Sequence, residues 1–167
     1  MPISEQLFKQ AMSRFASGVT VITTYDDAKQ TVGMTASAFI SVSLNPPLIL
    51  ESIAKTAQMH QRLMQQEHYA VSILSQSQVE VSNYFAGWQT EGFSPELDEL
   101  DGLPVIKDSL VQMSCRIVSR VSAGDHTLFI AEVQQVEVNS TQNLPLIYAD
   151  REYRTLVDLA KNTIGGS

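Results

Sequence analysis

Cysteine is almost absent from the sequence: Cys115 stands alone among 167 residues. A lone thiol excludes an intramolecular disulfide and a cysteine-based zinc cluster, and makes the cytoplasm the default compartment. Positive charge is scarce too, with 11 Lys and Arg against 18 Asp and Glu and a formal net charge of −7. Such a chain lacks the basic field that nucleic acid or an anionic membrane surface requires. It still leaves room for one phosphorylated ligand at a locally positive site. Charged residues of both signs reach only 17%, below the ~25% of an average soluble domain. The surface therefore leans on Ser, Thr, Gln and Asn, or a partner covers part of it. No apolar run approaches the ~20 residues of a spanning helix. Residues 1–6 lack a basic segment leading into an apolar one, so no secretory signal is expected. Gly-x-Gly-x-x-Gly, the phosphate-binding P-loop and the Gly-x-Ser-x-Gly elbow are all missing.

What is present suits a folded domain. Apolar residues make up 44% of the chain. One domain over residues 1–160 is expected, with a loose tail over 161–167. Ser4 can cap a helix over 5–16. Leu7, Ala11, Met12 and Phe15 give that helix an apolar face, and Gly18 is placed to end it. Residues 19–25 are dense in β-branched side chains and read as a strand. A polar turn over 26–30 leads to an extended stretch over 31–43, which Asn45-Pro46-Pro47 breaks. Residues 48–53 are a further strand. Residues 57–66 read as a helix with Met59, Leu63 and Met64 inward. A strand over 69–74 follows. Ser75 and Gln78 then have capping-box spacing before a helix that carries Val79, Ser82 and Phe85 on one side.

Residues 86–102 read as a long loop whose Glu96, Asp98, Glu99 and Asp101 are solvated. Two alternating runs, 110–121 and 127–138, are joined by the tight segment 122–126, and 144–148 is a last short strand. Cys115 shares a face with Val111, Met113 and Ile117, as a core thiol would. About seven strands and three short helices with hairpin-length links predict a mainly β, Greek-key antiparallel barrel.

Three segments are candidates for chemistry, each with a plain alternative. In Gly33-Met34-Thr35-Ala36-Ser37-Ala38-Phe39 the small residues let a planar ligand lie against backbone. Thr35 and Ser37 could hydrogen-bond its heteroatoms. The alternative is a β-bulge or a close sheet crossing. The segment Ser52-Ile53-Ala54-Lys55-Thr56-Ala57-Gln58-Met59 runs from a strand end into a helix start, where free N–H groups suit a phosphate. The alternative is a helix capped by Thr56 with a solvated Lys55. Gly124-Asp125-His126-Thr127 sets a histidine at the mouth of β-structure, where it could touch a ligand. The alternative is a turn in which Asp125 binds local backbone. His60 and His68 show no metal-ligand spacing and read as surface, and no metal site is expected.

Taken together these segments resemble the short flavin reductase family, the NAD(P)H:flavin oxidoreductases that serve two-component aromatic monooxygenases such as phenol and 4-hydroxyphenylacetate hydroxylases. The resemblance is carried in order by residues 15–21, 33–39, 41–48, 69–75, 85–87, 102–105 and 124–130, across about residues 8 to 156. It implies an FMN-binding split β-barrel working as a homodimer. It implies that Met34, Thr35, Ala36 and Ser37 sit against the isoalloxazine. Ser52 and Ile53 would line the ring edge. Ala54, Lys55, Thr56, Ala57, Gln58 and Met59 would hold the phosphate, and Phe85 would be the aromatic near the flavin. His126 would contact the nicotinamide, with Tyr148, Arg151 and Tyr153 closing that side.

The implied reaction is hydride transfer from NADH or NADPH to FMN or FAD, steered by a hydrogen bond to N5 from Thr35 or nearby backbone. Reduced flavin would then diffuse to a partner oxygenase. Three departures stand out: Glu51 at a commonly apolar position beside the flavin edge, Ala131 for a usual Gly, and Glu91-Gly92 where relatives carry a basic residue. Two other readings stay open: a flavin-binding electron carrier or sensor on the same fold, and a β-barrel interaction module with no cofactor.

Overall fold

The computed structural model describes residues 2–88 and 91–159, so the tail expected over 161–167 lies outside the described residues. The chain runs α1 (Glu5–Ser13), β1 (Ser17–Gly18), β2 (Thr20–Tyr25), β3 (Thr31–Ala36), β4 (Phe39–Ser43), β5 (Leu48–Ala54), α2 (Gln58–Gln65) and β6 (His68–Ile73). It continues through α3 (Val79–Phe85), β7 (Leu97–Leu100), β8 (Leu103–Ile106), β9 (Val111–Ala123), β10 (His126–Val138), β11 (Ile147–Ala149) and β12 (Glu152–Arg154).

Seven strands form one antiparallel sheet in the order β3-β2-β6-β9-β10-β5-β4. Its two edges, β3 and β4, are consecutive in the chain and are joined only by Ser37 and Ala38. Laid flat, six strand spacings would hold those edges about 29 Å apart. Three Cα steps reach at most about 11 Å. The sheet must therefore curl into a barrel, and the barrel is split where Ser37-Ala38 crosses between its edges. The antiparallel barrel expected from the sequence is the fold observed. A three-stranded sheet, β1-β11-β12, and the β7-β8 hairpin flank it.

Strand alternation fills the interior. Ile22, Ile53, Tyr69, Val71, Met113, Cys115, Ile117 and Phe129 meet there, with Met59 and Leu63 of α2 packed against them. Val21, one residue from Ile22, faces the other way, into a second cluster with Leu74, Val81, Ile106 and Leu146. β2 is thus buried on both faces, which suits its β-branched composition. Gly124, at φ +60°, takes the left-handed first position of the two-residue turn between β9 and β10.

Several local expectations are corrected. α1 stops at Ser13 rather than 16, although Ser4 does cap it, accepting from the Leu7 N–H at 3.2 Å. Gly18 does not end the helix; it pairs with Ile147 in β1. The α1 apolar face meets no core: Leu7, Phe8 and Met12 are exposed, and Phe15 beyond them is 79% exposed. Met64 points outward. The Ser75–Gln78 box is half made: Gln78 Oε1 accepts from the Ser75 N–H at 3.0 Å, but the Ser75 hydroxyl bonds Ser77 instead. The loop over 86–102 contains β7. The 144–148 segment becomes β11, with β12 beyond it. The described residues hold twelve strands rather than about seven.

Candidate active site

The split gathers the first candidate segment. Met34 packs against the barrel core, and Ala36 is buried. Gly33 and Thr35 lie on the opposite face of β3, under α3. A Cβ on Gly33 would come within 2.7 Å of two Phe85 ring carbons, so the glycine is what lets Phe85 lie on the strand. Thr35 Oγ1 donates to the Ser82 carbonyl at 2.7 Å. Its single hydroxyl proton is committed to α3, which leaves nearby backbone N–H groups as the donors available for a ring at the split.

Ser37 is exposed and lines a cavity of about 530 Å³ with Tyr148, Arg151 and the α1 side, Phe8, Met12 and Phe15. Tyr148 meets Tyr153 edge-on, with ring centroids 5.5 Å apart. The Tyr153 hydroxyl accepts from Ser82 Oγ at 2.8 Å and donates to Asn83 Oδ1 at 2.8 Å. β12 is thereby pinned to the helix that bears Phe85. Arg151 is exposed on the turn between β11 and β12, where Asp150 and Arg151 both have positive φ, +50° and +62°.

The second and third candidates meet at the far end of β5. Ser52 N–H donates to the Ala38 carbonyl at 3.0 Å, which continues the ladder across the split link. Ile53 is fully buried in the core, so only its backbone can face a ligand. Ala54 is the cross-strand partner of His126. Lys55 is not merely solvated: its Nζ donates to Ser122 Oγ at 2.8 Å and to the Gly124 carbonyl at 2.7 Å, tying it to the turn that carries His126. Asp125 Oδ1 lies 2.7 Å from His126 Nδ1. A carboxylate can only accept, so Nδ1 carries the proton, and a neutral His126 presents the Nε2 lone pair. That hydrogen bond and the imidazole beside it hold the Asp125 carboxyl below its ordinary range.

Thr56 does not cap α2. The N-cap is Ala57, with no side-chain cap bond, so the first turn of α2 keeps free N–H groups beside Lys55. One turn on, a cavity of about 370 Å³ lies between α2 and β3, lined by Val32, Gly33, Gln58, Gln61, Arg62 and Gln65 among others. No carboxylate lines it. Arg62 has neither an ion pair nor a side-chain hydrogen bond among the described residues. Sequence reasoning passed over Arg62. Its signal was the spacing Gln58, Arg62, Gln65, which puts one cation and two amides on a single helix face.

His68 is exposed as expected, whereas His60 is not a surface residue. His60 is half buried, lies 2.7 Å from Thr127 Oγ1 through Nε2, and sets its ring edge-on to Phe129. Glu51, expected beside the flavin edge, points into the barrel instead.

The structure therefore unites Ser52, Ala54, Lys55 and His126 at one end of β5, and Thr35, Phe85 and Tyr153 around α3. Ser37, Tyr148 and Arg151 share one cavity, which His126 does not line. Residues 12–157 match the model of the flavin reductase like domain. The chain belongs to that family. An NADH-dependent flavin reductase of Rhodococcus is 38% identical, over 92% of this chain and 88% of the relative. The reductase component of 4-hydroxyphenylacetate 3-monooxygenase from Thermus thermophilus is 36% identical, over 92% of this chain and 97% of its own length. The native-state structure of the flavin reductase PheA2 superposes with a TM-score of 0.88 at 47% identity, covering 93% of this chain and 100% of that one. A Streptomyces globisporus NADH:FAD oxidoreductase, solved with NAD and FAD fragments, gives a TM-score of 0.85 at 29% identity, with 96% and 99% covered. These flavin reductases share the split-barrel architecture described above.

Proposed function

We propose that this chain is an NADH-dependent flavin reductase that delivers reduced FMN or FAD to a partner monooxygenase. The observation that carries the reading is the pairing of Ala54 with His126. It sets the segment suited to a flavin phosphate beside the histidine suited to a nicotinamide. The donor set fits a phosphorylated flavin: the uncapped helix start lies beside the Lys55 ammonium, and farther along α2 Arg62, without a side-chain partner among the described residues, lines a cavity that no carboxylate enters.

Bound flavin supplies, at N5, the acceptor for the hydride carried on C4 of the dihydronicotinamide. The chain's own residues bind and orient. Backbone of residues 34–37 holds the ring edge at the split, and Ser52 and Ile53 flank it through main chain. Residues 54–59 hold the phosphate, with Arg62 beyond them. Phe85 walls the site. His126, oriented by Asp125, positions the nicotinamide, while Tyr148 and Arg151 border the separate cavity at Ser37 and Tyr153 braces α3 behind Phe85. The working unit is one domain over residues 1–160, acting as a cytoplasmic homodimer. Support for the dimer is the exposed apolar face of Leu7, Phe8, Met12 and Phe15.

The test mixes purified protein with NADH and either FMN or FAD and follows the reduced-nicotinamide absorbance. Enzyme-dependent oxidation above the flavin-only background is expected. Absence of that oxidation sinks the reading. A yellow but inactive protein points to the electron-carrier alternative.

A further inference from the structure

Glu51 sits on β5 between the interior residues Ile49 and Ile53, so strand alternation turns its carboxyl into the barrel. It is 0% exposed, and neither carboxyl oxygen has a hydrogen-bond partner. Its cross-strand neighbours are Phe129 on β10 and Phe39 on β4. Tyr69 on β6 is equally buried, and its hydroxyl is also unpartnered. Cys115 on β9 is fully buried in the same core.

The surroundings offer no compensating charge. β6 contributes the Tyr69 phenol and β9 the Cys115 thiol, both neutral groups. From β10 comes Phe129, and from α2 come Met59 and Leu63. His60 of α2 is engaged with Thr127. A carboxylate here would have no cation, and neither the Tyr69 phenol nor the Cys115 thiol donates to it. Burial accordingly pushes the Glu51 carboxyl well above its ordinary pKa. Burial, together with the Glu51 charge, raises Tyr69 well above its own and Cys115 to about 12.

The residue after Glu51 is Ser52, whose N–H holds the Ala38 carbonyl across the split link. Phe39, which follows Ala38, is the cross-strand partner of Glu51. A carboxylate seeking water at position 51 therefore pulls on the strand pair that frames the split. We propose that Glu51 is a proton-dependent positioning residue, which as a neutral acid keeps β5 seated in the barrel wall and on losing its proton in alkaline solution unseats the flavin edge at Ser52 and Ala38. The proton passes to solvent hydroxide. The effect on flavin rests on the reading of that edge given above, whereas the neutral state of Glu51 does not.

Linkage fixes the sign. A folded pKa raised above the unfolded one means that the native state holds the extra proton. The stability contributed is full below the ordinary carboxyl pKa and is lost as pH rises through the folded one. Over that window the unfolding equilibrium constant of wild type grows by up to ~10-fold per pH unit relative to a variant without the acid.

The test uses ligand-free protein and two variants, Glu51→Gln, which keeps the shape, and Glu51→Val, which supplies an apolar β-branched side chain. The infrared spectrum of wild type at neutral pH should carry a protonated-carboxyl band that both variants lack. Unfolding midpoints of wild type should fall relative to the variants as pH rises. Flavin affinity, read by fluorescence quenching, should drop at alkaline pH in wild type and stay level in a folded variant. A missing band, parallel pH profiles of stability, or the same alkaline loss of flavin in Glu51→Gln overturns the proposal. A wild-type protein that binds no flavin at any pH overturns the functional reading and the positioning role with it, even if the band is present.

Discussion

Asp125 accepts a hydrogen bond from His126 Nδ1 at 2.7 Å, across a turn that Lys55 holds from below through the Gly124 carbonyl. The imidazole is therefore aimed by its neighbour in sequence, in a turn anchored by Lys55. His126→Ala should raise KM for NADH by about tenfold or more while changing flavin affinity little, because it removes the proposed nicotinamide contact and leaves the proposed flavin contacts in place. Asp125→Ala should cost less, because the pair it breaks is exposed and screened by solvent. Steady-state kinetics with NADH varied, beside flavin titrations, check both. Equal loss of NADH and flavin binding in His126→Ala contradicts the assigned role.

Arg62 lines the cavity between α2 and β3 and has no partner among the described residues. If it meets the phosphate-bearing tail of the flavin, Arg62→Gln should weaken FMN and FAD binding by about 10- to 100-fold, from ~1.5–3 kcal/mol for a hydrogen bond to a charged group. Riboflavin, which carries no phosphate, should bind the variant as well as it binds wild type. Titrations with the three flavins decide it, and an equal loss for riboflavin removes Arg62 from that role.

Gly33 has no room for a side chain, because a Cβ would sit 2.7 Å from the Phe85 ring and 3.0 Å from the Ile22 carbonyl. Gly33→Ala should destabilise by about 1–3 kcal/mol through overpacking. Adding Phe85→Leu should recover part of that loss, since the two changes meet at one contact. Thermal unfolding of the single and double variants measures the coupling, and strictly additive effects would show that the ring does not press on β3.

Thr35 spends its hydroxyl proton on the Ser82 carbonyl. Thr35→Val should cost about 1 kcal/mol of stability for the lost bond, with Thr35→Ser near wild type. The rate of flavin reduction should fall little in either, because the Thr35 hydroxyl proton is already spent on Ser82. A large drop in kcat for Thr35→Val at unchanged flavin affinity would return the hydroxyl to the reacting atoms.

Much of this was legible in the chain because the informative residues report on local geometry. β-Branched residues in 19–25 and the alternation through 110–138 mark barrel strands without any partner being known, and Gly124 marks the turn between the two longest. The small residues of 33–39 read equally as a ligand-facing strand or a close sheet crossing, and the crossing lies at Ser37-Ala38, between β3 and β4. Other features depend on what lies opposite. The spacing of Leu7, Met12 and Phe15 promised a core-facing helix, but spacing cannot say that no core lies beneath. Asp101-Gly102 between Leu100 and Leu103 is a strong hairpin signal, with both residues at positive φ. The surrounding carboxylates made it read as loop. Glu51 was the hardest: a carboxylate reads as surface, and only the register of β5 between β4 and β10 turns it inside.

Hydride transfer from NADH to flavin on this barrel can be watched by anaerobic rapid mixing of the flavin-loaded protein with NADH while the oxidised-flavin absorbance is followed. Bleaching should be much faster than that of free flavin, saturate with NADH and slow in His126→Ala. Bleaching no faster than free flavin with the same NADH would contradict that transfer.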